Sequence, residues 1–414
     1  MGIDVKAVLD RVEALGTIGR TEAGITRLAF TAEDREARAL VIRWMNDLRL
    51  SVEVDAAGNI FGTWGDGTPP PILLGSHIDS VPEGGMYDGC LGVAAALEVV
   101  AACGREERHP RIPLAVVVFQ MEESSRFGQA MFGSKVFAGR LTAAEVSEWR
   151  DHDGHTLGAC LAENGADLAQ LDGARYQRAP RAYLELHIEQ GTILRDAAAA
   201  VGVVTGIAAP LRIRLAVIGE AAHSGAALPD QRKDALMAAA RILSEVEDLV
   251  TRERSWGTVA TVGFFRVHPN VVNVVPGKVE MGVDVRSVNV GSRQRLARAI
   301  LQVVAKVSAE RRLEVRASVV GDEMPIVLDA ALTDGLETAA RDEEVAYQRV
   351  VSLAAHDAMQ VATIAPTAML LVRNVSGTSH SSKEWISPDD VDAGCRVFHR
   401  AVRTLLTTAA AEHA

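Results

Sequence analysis

Two short polar motifs that follow an apolar run carry residue types suited to binding a metal ion. His77 and Asp79 come shortly after the apolar residues 71–74, and Asp88 precedes Gly89 and an apolar stretch from Leu91 to Val100. Such runs are typical of buried strands, and the loops leaving the carboxyl ends of strands bind ligands in α/β sheets. Alone, the pattern equally fits a strand-end histidine followed by an aspartate that caps the next helix.

A pair of adjacent carboxylates follows the clearest buried-strand pattern in the chain. Residues 112–119 are rich in β-branched side chains and uncharged, and Glu122 and Glu123 come soon after them. Neighbouring side chains of an extended chain point in opposite directions, so one carboxylate can bind a metal ion while the other faces a substrate. The alternative is a solvated acidic pair on the surface.

Two further histidines follow predicted strands. His187 lies near the end of the strand predicted from Ala182, and His380 lies in the polar loop 373–384 after a strand predicted at 367–371. With the earlier residues they give three imidazoles and at least two carboxylates, which suit Zn²⁺, Mn²⁺, Co²⁺ or Ni²⁺. Because one closed structural ion needs fewer ligands, the sequence predicts a two-metal hydrolytic site with a shared carboxylate.

The order of predicted elements indicates two α/β domains, as the length of 414 residues also favours. After about residue 211 the pattern becomes strand, helix, strand, strand, helix and strand, at residues 213–218, 230–250, 258–265, 279–285, 292–309 and 313–319. This βαββαβ order predicts a small sandwich at 212–328, inserted into a larger domain made of residues 1–211 and 329–414.

Composition and charge restrict the classes of function. The net charge of −11 argues against nucleic acid as a partner, because phosphate binding needs a basic face. No apolar stretch approaches the ~20 residues of a membrane helix, and the first residues lack the pattern of a secretory signal. The cysteines have no paired spacing typical of a disulfide framework or zinc knot; they are Cys90, Cys103, Cys160 and Cys395. We therefore expect a cytoplasmic protein that binds neither nucleic acid nor a membrane.

Ordered motifs over nearly the whole chain resemble those of the hydantoinase/carbamoylase amidases of the M20 metallopeptidase-like superfamily. That group includes N-carbamoyl-L-amino acid hydrolase, β-ureidopropionase and allantoate amidohydrolase. The matching motifs are residues 75–81, 87–89, 122–127, 187–191, 222–225, 273–276, 284–286, 356–358 and 379–380. The resemblance implies a mixed-sheet α/β/α catalytic domain, with the inserted βαββαβ domain acting as a lid and as the interface of a homodimer.

The same motifs imply roles for individual residues around two divalent metal ions. Asp88 would bridge the ions, and Glu122 would be the general base that moves a proton from the attacking water to the leaving nitrogen. Asp79 would orient His77 by contacting the second nitrogen of the His77 ring. The implied metal ligands are His77, Asp88, Glu123, His187 and His380.

The resemblance also implies a set of substrate-binding residues, namely Gln190, His223, Asn273, Arg286, Gly377 and Thr378. Arg286 would bind a carboxylate with its planar fork, although a surface ion pair is the alternative. His223 would contact the substrate, often from the partner subunit, and it would share the catalytic role with Glu122. For His223 the alternative is a solvated residue in a turn, since Ser224 and Gly225 follow it.

One segment departs from the family's pattern. Residues 352–355 read Ser-Leu-Ala-Ala, where members usually carry Ser-Gly-Ala-Gly before the motif at 356–358, so Leu353 could reshape the substrate pocket. The leading hypothesis is cleavage of the carbamoyl C–N bond of an N-carbamoyl-L-amino acid to amino acid, carbon dioxide and ammonia. Allantoate or a β-ureido acid is the alternative substrate. A non-catalytic amino-acid-binding protein of the same fold is a different class, but it would have no need of a general base at Glu122.

Overall fold

The computed structural model describes residues 2–66, 69–106, 110–176, 179–253 and 257–412, with the last four of these described by backbone alone. The chain divides into two compact units. The first contains Met1–Thr205, Leu328–Val350 and His356–Ala414, and the second contains Gly206–Val327 and Val351–Ala355. Helices and β-sheets make up both units, and the sheet of the first unit is mixed, so the predicted α/β class is confirmed.

The strands and helices are numbered in chain order. The strands are β1 (Ser51–Val54), β2 (Ile60–Trp64), β3 (Ile72–His77), β4 (Leu114–Phe119), β5 (Ala182–Ile188), β6 (Val201–Ile207), β7 (Ala209–Ile218), β8 (Ala222–His223), β9 (Val259–His268), β10 (Val274–Val275), β11 (Lys278–Ser287), β12 (Glu314–Asp322), β13 (Ile326–Val327), β14 (Tyr347–Ser352) and β15 (Thr367–Val372). The α-helices are α1 (Val5–Thr17), α2 (Ala32–Asp47), α3 (Cys90–Glu106), α4 (Phe132–Phe137), α5 (Ala143–Val146), α6 (Leu157–Glu163), α7 (Ile193–Asp196), α8 (Ala235–Glu253), α9 (Val290–Arg311), α10 (Ala330–Asp342), α11 (Asp357–Val361) and α12 (Pro388–Glu412). Residues Leu168–Ala174 form a 3₁₀ helix.

The centre of the first unit is a run of parallel strands. Its sheet has the order β1-β2-β4-β3-β5-β15-β6, with β14 also paired to β6. The pairs β4-β3, β3-β5 and β5-β15 are parallel, whereas β1-β2, β2-β4 and β15-β6 are antiparallel. The four parallel strands therefore end at the same edge of the sheet, which is where ligands collect in this architecture.

Successive side chains of β5 point to opposite faces of the sheet. Leu184 and Leu186 join the large core that includes α1, α3, α10 and α12, while Tyr183, Glu185 and His187 point the other way. Helix α3 lies close against this strand because Gly92 has no side chain, since a Cβ there would stand 2.2 Å from the Leu186 carbonyl oxygen. This close packing holds the start of α3 beside the strand ends.

The second unit is a four-stranded antiparallel sheet of order β12-β7-β11-β9 with α8 and α9 packed on it. The pairing of β7 with β11 continues beyond Ile218 and Lys278 into the short pair β8-β10, where His223 faces Val274. Helix α8 begins at Ala235 and not at the predicted residue 230, because the Asp234 carboxylate caps it through the Leu236 and Met237 amides.

Candidate metal centre

The predicted metal ligands of the first unit converge at one edge of its sheet. His77 is the last residue of β3, and His187 is the second-last residue of β5. Glu122 and Glu123 follow β4, and His380 lies in the loop after β15. Because these four strands are parallel neighbours, their carboxyl ends bring the five side chains together.

Asp88, which lies just before α3, occupies the centre of this group. Its Oδ1 is 3.1 Å from the Nε2 atom of His187 and 3.5 Å from that of His77. Its Oδ2 is 3.5 Å from the Nε2 atom of His380. The two oxygens of one carboxylate therefore face two different sets of donors.

The first set consists of His77, Asp88 and His187, whose donor atoms all lie within 4.8 Å of one another. Among the described residues, no group donates a hydrogen bond to the buried Asp88 Oδ1. A buried anionic oxygen without a partner is costly, whereas a divalent cation held by two imidazoles and a carboxylate would satisfy it. The set thus fits a metal ion by its chemistry.

The second set consists of Asp88, Glu123 and His380. The Nε2 atom of His380 lies 3.1 Å from Glu123 Oε1, and the His380 side chain is about half-exposed. Asp88 Oδ2 accepts hydrogen bonds from Ser379 Oγ and Gln190 Nε2, both at 2.8 Å. Protein donors thus hold the carboxylate that the second set shares with the first.

Backbone carbonyls orient the two buried imidazoles. The Nδ1 atom of His77 lies 3.1 Å from the Asp79 carbonyl oxygen, and that of His187 lies 3.0 Å from the Ile188 carbonyl oxygen. A carbonyl can only accept, so each neutral ring carries its proton on Nδ1 and directs the lone pair of Nε2 towards Asp88. This is the tautomer that a metal ligand needs.

Asp79 contributes to the site by two routes. Its main-chain oxygen faces His77, while its carboxylate accepts hydrogen bonds from the backbone amides of Glu122 at 3.1 Å and Glu123 at 3.0 Å. The carboxylate Oδ1 lies farther from His77 Nδ1, at 3.5 Å. Asp79 therefore links the histidine on β3 to the carboxylate pair after β4.

Burial and neighbouring charges shift the acidity of the central groups. Burial by itself raises the pKa of Asp88, but His187 and His77 hold that pKa well below its usual range. Burial lowers the pKa of His77, yet its contacts with Asp79, Asp88 and Glu122 bring it well above the ordinary value. The site therefore presents an anionic Asp88 at neutral pH.

Glu122 lies outside both sets of donors. Its Oε2 is 3.9 Å from the Nε2 atom of His77, and the side chain is buried. Burial raises the pKa of Glu122 well above its usual range, and Glu123 and Asp357 raise it further against the opposing effect of His77. A carboxylate of raised pKa is a better proton acceptor than an ordinary one.

The predicted residues of the second unit fall into two places. His223 and Asn273 are neighbours, since the Ser224 amide donates to the Asn273 carbonyl at 3.0 Å beside the β8-β10 pair. Arg286 lies near the far end of β11, eight residues beyond Lys278, which is roughly 26 Å along an extended strand. His223 and Arg286 therefore lie at opposite ends of the β7-β11 ladder.

Arg286 already has several partners within its own unit. Its Nε and Nη2 atoms donate to the Asp284 carboxylate at 2.9 and 3.3 Å, and its Nη1 donates to the Leu353 carbonyl at 3.0 Å. The Asp284 carboxylate thus covers one edge of the guanidinium fork. Leu353 belongs to the segment that departs from the family's pattern, so this segment contacts Arg286 through its backbone.

Comparison with known proteins decides the family. A model of the peptidase family M20/M25/M40 matches residues 73–404. The chain belongs to this family. Among M20 relatives, an N-carbamoyl-L-amino acid amidohydrolase of Geobacillus stearothermophilus is 37% identical, over 95% of this chain and 96% of that enzyme. An allantoate amidohydrolase of Bacillus subtilis is 31% identical, over 95% of both chains.

A solved M20-type structure supports the same assignment. The hydantoinase/carbamoylase family amidase of Burkholderia multivorans is 33% identical to this chain, covers 97% of both chains and superposes with a TM-score of 0.88. The resemblance drawn from the sequence is therefore confirmed at the level of the family and of the fold.

Several residues of the M20 site were not singled out from the sequence. The Glu384 Oε1 atom accepts from the Tyr87 and Asp88 amides at 2.9 and 3.2 Å, and its Oε2 lies 3.2 Å from Ser379 Oγ, whose proton is donated to Asp88 at the shorter distance of 2.8 Å. Burial raises the pKa of Glu384 to about 7, and Asp88 adds to this rise. No local pattern marks Glu384, because its partners at 87 and 88 lie almost 300 residues away in the sequence.

His356 and Glu185 form a buried layer behind His187. The rings of His356 and His187 meet edge to face with centroids 4.5 Å apart. Glu185 accepts hydrogen bonds from Ser76 Oγ, Tyr183 Oη and the Ala358 amide at 2.7, 3.2 and 2.9 Å. With its oxygens satisfied in this way, Glu185 supports the imidazole face and need not bind a metal ion.

Two other predicted residues lie in the loop before His380. The Gly377 amide donates to Asn374 Oδ1 at 3.2 Å, and Asn374 Nδ2 donates to the Thr378 carbonyl at 2.8 Å. This turn brings Gly377 and Thr378 next to Ser379, which contacts Asp88.

Glu384→Ala should weaken metal binding by about tenfold or more, because it releases the Tyr87 and Asp88 amides that position the Asp88 carboxylate. Titration of metal-free protein with Mn²⁺ measures the change. Glu53→Ala, which removes an exposed carboxylate on β1, serves as the control. Equal metal affinity in Glu384→Ala and Glu53→Ala would show that Glu384 does not position Asp88.

Proposed function

We propose that this M20 protein is a two-metal amidohydrolase that cleaves the carbamoyl C–N bond of an N-carbamoyl-L-amino acid. The observation that carries this proposal is the position of Asp88, whose two oxygens face the His77–His187 pair and the Glu123–His380 pair separately. A carboxylate shared in this way is typical of hydrolases that hold two divalent ions. Zn²⁺, Mn²⁺, Co²⁺ and Ni²⁺ all suit these nitrogen and oxygen donors.

When bound, two such ions act as Lewis acids on the substrate carbonyl and make water a stronger acid. Glu122 removes a proton from the attacking water as the water oxygen bonds to the carbamoyl carbon. Glu122 then gives this proton to the nitrogen of the amino acid as its C–N bond breaks. The carbamic acid that remains breaks down to carbon dioxide and ammonia.

Allantoate and β-ureido acids are the alternative substrates, since they offer a ureido group and a carboxylate to the same residues. The similarity to an allantoate amidohydrolase favours including them. Initial rates on N-carbamoyl-L-amino acids, N-carbamoyl-β-alanine and allantoate, measured side by side with added Mn²⁺, distinguish the three. Highest kcat/KM on an N-carbamoyl-L-amino acid is the expected outcome.

Glu122→Gln keeps the size of the side chain but removes its basicity, so kcat should fall by roughly 100-fold or more with metal content near wild type. Glu123→Gln is the matched variant one residue away, and it should lose metal instead. Metal analysis and turnover of both proteins check this. Near-normal turnover of Glu122→Gln would contradict its role as the base.

Arg286 is proposed to bind the carboxylate of the substrate. Asp284 accepts two hydrogen bonds from one edge of the guanidinium group. The other edge, whose Nη1 atom also donates to the Leu353 carbonyl, is left to bind a carboxylate. Pinning the arginine in this way reduces the entropy lost on binding.

Arg286→Lys should lower kcat/KM for N-carbamoyl-L-amino acids, since an ammonium group keeps the charge but loses the planar fork. A neutral amide analogue of the substrate should be hydrolysed at the same rate by both proteins. Equal losses on the two substrates would point to a structural role for Arg286.

We further propose that the second unit forms a homodimer interface and that His223 acts on the active site of the partner subunit. Arg286 and His223 lie at opposite ends of one ladder, so a small substrate bound by Arg286 is out of reach of His223 from the same chain. In a two-fold dimer, the histidine of one subunit can serve the site of the other. There an N–H donor stabilises the negative oxygen of the tetrahedral intermediate.

Mixing His223→Ala with Glu122→Gln, each inactive alone, should therefore restore activity. In a mixed dimer one site combines an intact Glu122 with an intact His223 from its partner. With random exchange of equal amounts about half the dimers are mixed and each has one working site, so recovery should approach roughly a quarter of wild type. Absence of recovery despite demonstrated subunit exchange would mean that His223 does not act in the partner's site.

A further inference from the structure

His223 lies near the start of the segment Glu220–Lys233, which we call the His223 loop. The two ends of this loop are hydrogen-bonded to each other. The Glu220 amide donates to the Lys233 carbonyl at 2.9 Å and joins the two ends of the loop. His223 itself pairs with Val274 in the β8-β10 pair. The backbone that carries this exposed side chain is therefore fixed to the sheet of the second unit.

Arg232 links two backbone carbonyl groups within the loop. Arg232 donates from Nε to the Ala227 carbonyl at 3.0 Å and from Nη2 to the Ser224 carbonyl at 2.6 Å. The Ala226 and Ala227 amides both donate to the His223 carbonyl at 3.1 Å. The planar fork of Arg232 thus closes the turn that follows His223.

The imidazole is also held through one of its own nitrogens. The Gly225 amide donates to His223 Nδ1 at 3.1 Å. Because a backbone amide can only donate, Nδ1 must be the acceptor, and the proton of the neutral ring must lie on Nε2. The ring is thereby oriented with an N–H donor on the side away from its own loop.

We propose that the His223 loop fixes His223 as the Nε2–H tautomer and that Arg232 is the positioning residue that maintains this arrangement. The inference rests on the proposed role of His223 as a donor to the substrate oxygen. Donors that are already oriented stabilise developing charge without reorganising, whereas a free side chain loses rotamer entropy when it becomes ordered. Arg232 would therefore affect the transition state without touching the substrate.

The tautomer can be observed directly by NMR of the full-length, metal-loaded protein labelled with ¹⁵N-histidine. The signals of His223 are assigned by their loss in His223→Gln. We expect a protonated, pyrrole-type Nε2 and an unprotonated, pyridine-type Nδ1 at a pH where the ring is neutral. The opposite pattern, or equal populations of the two tautomers, would overturn the proposal whatever the activity of the enzyme.

Two pairs of variants test the parts of the loop. Gly225→Ala keeps the amide, and its Cβ would make only an ordinary contact, 3.6 Å from His223 Cε1, whereas Gly225→Pro removes the donor. Arg232→Lys keeps the charge but loses the fork, and Arg241→Lys on the exposed face of α8, where Arg241 pairs with Glu245, is its control. The tautomer preference should disappear in Gly225→Pro and Arg232→Lys and persist in the two controls.

Kinetics separate positioning from a general loss of structure. Arg232→Lys should lower kcat by about tenfold or more with little change in KM, because the donor acts mainly in the transition state. Mixing Arg232→Lys with Glu122→Gln should restore activity, as mixing His223→Ala with Glu122→Gln should. Loss of the tautomer preference with unchanged kcat would overturn the role of Arg232 as a positioning residue.

The outcomes also separate this inference from the proposed function. If the wild-type tautomer is as expected but mixing restores no activity, the proposed role of His223 in the partner's site is wrong. The proposal that the His223 loop orients the ring is then still supported. If mixing the variants restores activity but both tautomers of His223 are populated, the proposed role of His223 is supported and the proposal that its loop orients the ring is wrong.

Discussion

The carboxylate of Asp88 is an anion that folding removes from water, and the rest of the site depends on keeping it paired. Two imidazoles face one of its oxygens, while Ser379, Gln190 and the more exposed His380 face the other. An unpaired buried charge costs several kcal/mol, so the oxygen that faces the two imidazole lone pairs is suited to bind a metal ion. The position of the carboxylate is in turn fixed by Glu384, which accepts hydrogen bonds from the backbone amides of Tyr87 and Asp88.

This arrangement depends on the parallel core of the first unit. Strands β4, β3, β5 and β15 present their carboxyl ends at one edge, and the close approach of α3 at Gly92 brings Asp88 to the same edge. Gly89 is needed just after the carboxylate, since its φ is +65° and a Cβ there would stand 2.6 Å from the His77 ring. The backbone geometry of the loop thus determines how near the carboxylate and the imidazole can lie.

Sequence patterns predicted what depends on the ends of strands. The proximity of His77, His187 and the carboxylate pair after β4 could be predicted, because buried apolar strands and their direction are recognisable in the sequence. Contacts between segments distant in sequence were not predictable, and Glu384 is the clearest case. Asp79 was expected to orient His77 through its second ring nitrogen, and its carbonyl faces that nitrogen. The contact of its carboxylate with the Glu122 and Glu123 amides was not predicted. Strands β6 and β14 were missed because their alternation is weak, and the Asp234 cap shifted the start of α8.

Counting the bound ions shows whether Asp88 is shared by two metal ions. Metal-free protein is titrated with Mn²⁺ while bound metal is measured and the electron paramagnetic resonance spectrum is recorded. We expect two Mn²⁺ per chain with a spin-coupled spectrum in the wild type, and loss of the coupling in Asp88→Ala, because the shared carboxylate joins the two donor sets. A single Mn²⁺ per chain, or two that remain uncoupled in the wild type, would contradict the sharing of Asp88.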